Sequence, residues 1–119
     1  MRTDPASFLP LRPVDFVLLL TLVDGEQHGY ALAREIAERT DGVVDLGAGN
    51  LYRVIKRLLD DGLVAQSARR PLPEDDDERR VYYRITPLGS RVAAVEAQRL
   101  RTLLASKSAR SLTPLADRP

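Results

Sequence analysis

Apolar positions change their period along the chain, and each change marks an element. Residues 14–22 are apolar on nearly every side (Val14, Phe16, Val17, Leu18, Leu19, Leu20, Leu22). That pattern predicts a helix buried all round, by its own domain or by a second subunit. Pro13 suits its first position, where a missing N–H leaves nothing unsatisfied, and Asp24-Gly25 ends it. A second helix opens at His28-Gly29-Tyr30, with Tyr30, Ala33, Ile36 and Ala37 on one face and Arg34, Glu35, Glu38 and Arg39 on the other, and closes at Asp41-Gly42. Val43-Val44-Asp45-Leu46 is β-branched and extended in character, which predicts a short strand before the Gly47-Ala48-Gly49 turn.

The third helix, residues 50–61, is the clearest amphipathic element. At about 100° per residue, Leu51, Val54, Ile55, Leu58 and Leu59 share one arc, while Asn50, Arg53, Lys56, Arg57 and Asp60 share the opposite one. Gly62 stands where a C-terminal glycine is expected. Residues 63–70 and 80–86 have strand length, and in the second Val81, Tyr83 and Ile85 alternate with Tyr82, Arg84 and Thr86. A β-hairpin follows, its tip the acidic run of residues 74–78. Thr86 then caps a final helix with Pro87 in its first position, running to about residue 107. Along it Ala93, Ala97, Leu100 and Leu104 recur at spacings of four, three and four, flanked by Val92, Val95 and Leu103.

Composition narrows the reading. A chain of 119 residues with 5% aromatics and no Trp builds one core from Leu, Val, Ile and Ala, which favours packed helices. With no cysteine, neither disulfides nor thiolate metal sites staple the fold. No apolar run approaches the roughly 20 residues of a membrane span, and the Pro-interrupted start lacks a secretory h-region, so a cytoplasmic protein is expected. Net charge is +1, but residues 79–110 hold eight Lys/Arg against the single acid Glu96. Such segregation suits an electropositive working face.

The predicted fold class is mainly α with a small β-hairpin: a winged helix-turn-helix followed by a dimerisation helix. The expected division is a flexible arm (or a short fragment of helix) over residues 1–12, the winged domain over 13–86, the dimerisation helix over 87–107 and a disordered tail over 108–119. A major groove about 12 Å wide admits one α-helix. The third helix would enter it, placing Arg53, Lys56 and Arg57 against phosphates or guanine edges and Asn50 against adenine or a phosphate. Tyr52, at the boundary of the two arcs, can pack, touch a phosphate, or do both. Arg69, Arg70, Arg79 and Arg80 at the hairpin base are further expected contacts, with the acidic tip pointing away from DNA or pairing with nearby arginines. Phe16, Leu20, Val92, Val95, Leu100, Leu103 and Leu104 are the expected dimer seam.

The residues also resemble a family, the PadR-like transcriptional regulators. The likeness lies in Asp24-Gly25-Glu26-Gln27-His28-Gly29-Tyr30, Gly49-Asn50-Leu51-Tyr52, Lys56-Arg57-Leu58 with Asp61-Gly62-Leu63-Val64, and Arg80-Val81-Tyr82-Tyr83-Arg84-Ile85-Thr86-Pro87-Leu88-Gly89. The stretches stand in the expected order, and the resemblance covers about residues 14–100. The resemblance implies homodimers on inverted-repeat operators, usually repressors, in some members relieved by small effectors. It places Asn50, Tyr52 and Lys56 in the recognition helix and Arg79 and Arg80 on the wing. The family commonly has Thr where this chain has Asn50.

Other classes find few parts. There is no phosphate-binding Gly-x-x-x-x-Gly-Lys loop, Gly47-Ala48-Gly49 lacks a dinucleotide site's third glycine, and one histidine without cysteine gives little to nucleophilic or zinc chemistry. No enzyme, cofactor or metal is therefore expected. The alternative is a winged-helix module that binds proteins without binding DNA. The basic third helix speaks against it, because protein-binding surfaces more often expose aromatic or aliphatic anchors.

Overall fold

The computed structural model describes residues 2–67 and 81–112. A 3-10 turn at Pro5–Phe8 leads into α1 (Pro13–Val23), β1 (Gln27–His28), α2 (Gly29–Arg39), α3 (Ala48–Asp60), β2 (Val64–Gln66), β3 (Tyr82–Ile85), α4 (Pro87–Leu104) and α5 (Lys107–Arg110). This is a mainly helical winged helix-turn-helix, as the apolar pattern predicts. The wing residues 68–80, with Arg69, Arg70, Arg79, Arg80 and the acidic run, lie outside the described residues, as do 113–119.

One core joins the elements. Leu18, Leu19 and Leu22 of α1, Leu32 and Ile36 of α2, Leu51, Ile55 and Leu58 of α3 and Val92 of α4 are buried together. Val14 and Val17 of α1 pack half-buried against this cluster, and Val23 is exposed. Thr21 is buried without cost to its hydroxyl, which donates to the Val17 carbonyl at 2.8 Å.

The element ends follow local chemistry. The imidazole Nδ1 of His28 accepts the Ala31 N–H at 3.3 Å and caps α2. Past α3, Gly62 adopts φ +77° while the Leu63 N–H reaches back to the Leu58 carbonyl at 3.0 Å, the left-handed closure that glycine permits. Thr86 caps α4 through the Gly89 N–H at 2.9 Å and ties its own hydroxyl to the Gly62 carbonyl at 2.7 Å. The hairpin, the end of α3 and the start of α4 thus meet at one knot.

Several expectations need correction. Residues 43–46 form no strand: Thr40 holds this stretch as a turn, its carbonyl accepting the Val43 N–H and its hydroxyl the Val44 N–H, each at 3.0 Å. The third strand is β1 instead, in the order β1-β3-β2, all antiparallel. β1 also explains why the two-residue alternation in β3 fails at Tyr82, which is buried along with Tyr83. His28, opposite Tyr82 in the register, covers its ring edge-on with centroids 5.7 Å apart. α3 starts at Ala48, two residues before the expected Asn50, and α4 stops at Leu104, where Ala105-Ser106 turns the chain into α5. Of the two expectations for the N-terminal segment, the short fragment of helix is the one found, the 3-10 turn Pro5–Phe8, with Phe8 buried in the core.

Candidate DNA-binding surface

α2 and α3 are the paired helices, and the apolar arc of α3 is seated on the core through Leu51, Val54, Ile55 and Leu58. Asn50, Tyr52, Arg53 and Lys56 are consequently exposed. Arg53 reaches back to the Asn50 side-chain oxygen at 3.4 Å, a long and weak link. Lys56 pairs with Asp60 at 3.0 Å, one helical turn on, with both side chains in solvent. Pairs of this kind contribute about 0.3–0.5 kcal/mol, so a phosphate can displace Asp60 at little cost.

The structure takes Arg57 off this face. From Arg53 it is rotated by about 40° around the helix, toward Val54, and there its guanidinium bonds the carboxylate of Asp15 on α1. Asp15 is 6% exposed, and among the described residues the buried Arg57 Nε has no hydrogen-bond partner. Arg57 therefore joins α3 to α1. Amphipathic periodicity placed it on the polar arc but could not show that a buried acid waits at that arc's edge.

Two α2 residues extend the exposed surface. Tyr30, expected on the packed face, is 75% exposed. With Tyr52, 50% exposed, it borders a cleft of about 370 Å³ between α2 and α3, whose rim also carries Arg34 and Asp45 and whose floor includes Ala33 and Leu51. Arg34 is exposed, and among the described residues no acid pairs with it. Tyr52 leans over the start of α2: a Cβ on Gly29 would sit 2.5 Å from its hydroxyl, so glycine there makes room for the α3 tyrosine. Burial, and then the charge of Tyr52, push the Tyr83 hydroxyl above its ordinary pKa. Arg84 is exposed on β3, as the alternation placed it.

A second, apolar surface lies on the outer side of α4. Val95 is 38%, Leu103 54% and Leu104 69% exposed. Leu9, Val95 and Leu103 help to line an open groove of about 650 Å³. Phe16, Leu20 and Leu100 are half-buried. Val92 is a correction to the expected seam: it is fully buried inside its own protomer and has no surface left to offer.

Beneath the groove, Glu96 is 1% exposed. Its carboxylate accepts the Leu11 N–H at 2.7 Å and the Nε–H of Arg99. The Arg99 hydrogen bond, opposed by burial and helped by the Leu11 N–H, holds its pKa below the ordinary value.

A helix pair whose second member exposes a partly cationic face, flanked by a small antiparallel sheet, defines the winged helix-turn-helix class. The chain belongs to the transcriptional regulator PadR-like family, whose model matches residues 18–95. A transcriptional regulator from Clostridium thermocellum is similar in structure with a TM-score of 0.65 and 25% identity, over 85% of this chain and 93% of that one. A PadR family transcription regulator from Clostridium difficile gives 0.64 and 23%, over 76% and 88%. A cysteine-to-serine mutant of Escherichia coli MarR complexed with operator DNA gives 0.66 and 20%, over 93% and 71%. The last two, below a quarter identity, share the fold.

Proposed function

We infer that this regulator acts as a homodimeric repressor on an inverted-repeat operator. The observation that carries the reading is the outward display of Asn50, Tyr52, Arg53 and Lys56 from a helix whose opposite side is locked into the core. The two α3 helices would enter successive major grooves about 34 Å apart, with Asn50 and Arg53 nearest the base edges and Lys56 on phosphate. The wing arginines Arg69, Arg70, Arg79 and Arg80 would follow the backbone. Val95, Leu100, Leu103 and Leu104, with Phe16 and Leu20, would form the seam between protomers. The open groove on α4 supports this, because a second copy is the simplest cover for exposed leucine and valine on one helix. A dimer seated across a promoter blocks polymerase, hence repression. A small hydrophobic effector would lodge between α1 and the partner's final helix and shift operator affinity.

The test is a genomic pull-down with the purified protein, footprinting of the recovered sites, and a salt titration of the Arg53→Ala/Lys56→Ala variant. A protected inverted repeat is expected, with the slope of log K against log salt reduced by about 0.9 for each phosphate no longer neutralised. Binding indistinguishable between variant and wild type at every salt concentration would refute the DNA reading and favour a protein-binding winged helix.

A further inference from the structure

Glu96 is the one acid in the basic stretch 79–110, and α4 turns it inward to 1% exposure. A buried carboxylate is costly unless fully bonded. Here one oxygen takes the Leu11 N–H at 2.7 Å, a contact between positions 85 residues apart, and the other takes the Nε–H of Arg99. Leu11 closes a short strap. Upstream of it the 3-10 turn Pro5–Phe8 buries Phe8, and the Arg2 guanidinium stacks 4.4 Å above that ring while donating to the Ser7 carbonyl at 3.0 Å. Between Phe8 and Leu11, Leu9 lines the same groove as Val95 and Leu103. Downstream of it Pro13 starts α1, which packs on α2, α3 and α4.

We propose that the Glu96–Leu11 clamp is a positioning device: it lashes the N-terminal strap to the middle of α4 and so fixes the angle at which the dimer helix leaves the DNA-reading head. The inference rests on the homodimer reading above. In a dimer each head hangs from its α4, so this angle sets the separation of the two recognition helices. A swing of roughly 10° over a lever of roughly 20 Å, shorter than a small domain is wide, moves a helix by about 3.4 Å, the rise of one base pair. Because the strap also contributes Leu9 to the groove, the clamp shapes the seam as well as the hinge.

Glu96 touches no DNA in this arrangement, so its effect is read in spacing. The full chain and its Glu96→Gln, Glu96→Ala and Leu11→Pro variants select from a pool of random-sequence duplexes, and the half-site separation of the recovered sites is sequenced. Leu11→Pro removes the donor while leaving Glu96 and Arg99 in place, which keeps the test alive should Glu96→Ala fail to fold. The wild type is expected to prefer one separation about tenfold over separations one base pair longer or shorter. Glu96→Ala and Leu11→Pro reduce that preference to about twofold or shift its optimum, and Glu96→Gln, which still accepts the Leu11 N–H, keeps it; tenfold corresponds to about 1.4 kcal/mol. Folded Leu11→Pro or Glu96→Ala protein recovering the wild-type separation with undiminished preference overturns the clamp. Failure of the wild type itself to recover any inverted repeat would instead overturn the homodimer reading.

Discussion

Arg57→Ala separates the cationic residues that build the protein from those proposed to face DNA. In the folded chain Arg57 ties α3 to the carboxylate of Asp15, which is 6% exposed on α1. Removing one partner of a buried pair costs about 3–5 kcal/mol because a charge is left stranded. The Arg57 side chain is 30% exposed, and fully exposed pairs contribute at most about 1 kcal/mol. An intermediate loss of about 2 kcal/mol is expected, a large share of the roughly 5–15 kcal/mol that holds a typical domain. With a urea dependence of about 1.5 kcal/mol per molar, the unfolding midpoint falls by about 1.3 M. Midpoints must be compared at one protein concentration, because dimerisation would contribute to apparent stability. The Asp15→Asn background supplies the control: with no stranded charge, adding Arg57→Ala should cost less than half as much. The salt slope of DNA binding, measured on folded protein, should stay at the wild-type value. A midpoint shift under about 0.3 M together with a slope lowered by about 0.9 would show that Arg57 leaves Asp15 to contact phosphate, and the reasoning would be wrong.

Three further outcomes follow from the same geometry. At the knot between hairpin and α4, a Cβ on Gly89 would run into the backbone carbonyl oxygen of Leu63 and lie 2.9 Å from Ile85 Cγ1; Gly89→Ala should therefore destabilise by about 1–3 kcal/mol, and an unchanged melting temperature would refute the close packing. On the cleft rim, Arg34→Ala should lower the salt slope of DNA binding by about 0.9 while Asp45→Asn raises affinity, and equal binding by both variants and wild type would remove α2 from the contact surface. Glu96, whose folded pKa lies below its ordinary 4.5, stabilises the fold as a carboxylate. That contribution is complete above pH 4.5 and is lost as pH falls through the depressed folded value, so the stability gap between wild type and Glu96→Gln should narrow on acidification below about 4.5; a gap that widens there would reverse the sign.

The fold was legible because periodicity reports which side of an element is dry. Leu51, Val54, Ile55 and Leu58 announced α3, and Thr86-Pro87 announced the start of α4 through capping chemistry alone. What escaped depended on partners distant in sequence. β1 is two residues long and carries no period of its own; it exists because Gln27 and His28 find β3. Tyr30 follows the apolar spacing of α2, yet the small Ala33 beside it leaves a cleft where a larger neighbour would have closed it. Val92 and Val95 look alike in the stripe of α4, and only the packing of the rest of the core, with α1 and the N-terminal turn against that helix, decides that the first is sealed and the second is not.

Charge pairing explains how a chain of net charge +1 presents a cationic surface where it is needed. The acids are placed so that they withdraw particular arginines from solvent competition: Asp15 takes Arg57, Glu96 takes Arg99, and Asp24 takes Arg39 at the far end of α2. The first two pairs join elements of the core, α3 to α1 and, through Leu11, α4 to the N-terminal strap. Arg34 and Arg53 are left without an acid partner among the described residues, and Lys56 is held only by an exposed one. These three lie on the paired helices α2 and α3. Net charge is therefore a poor guide to this protein's partner, since some acids are taken up by cations that hold the scaffold while other cations remain available, among them Arg34, Arg53 and Lys56 on the face a major groove would meet.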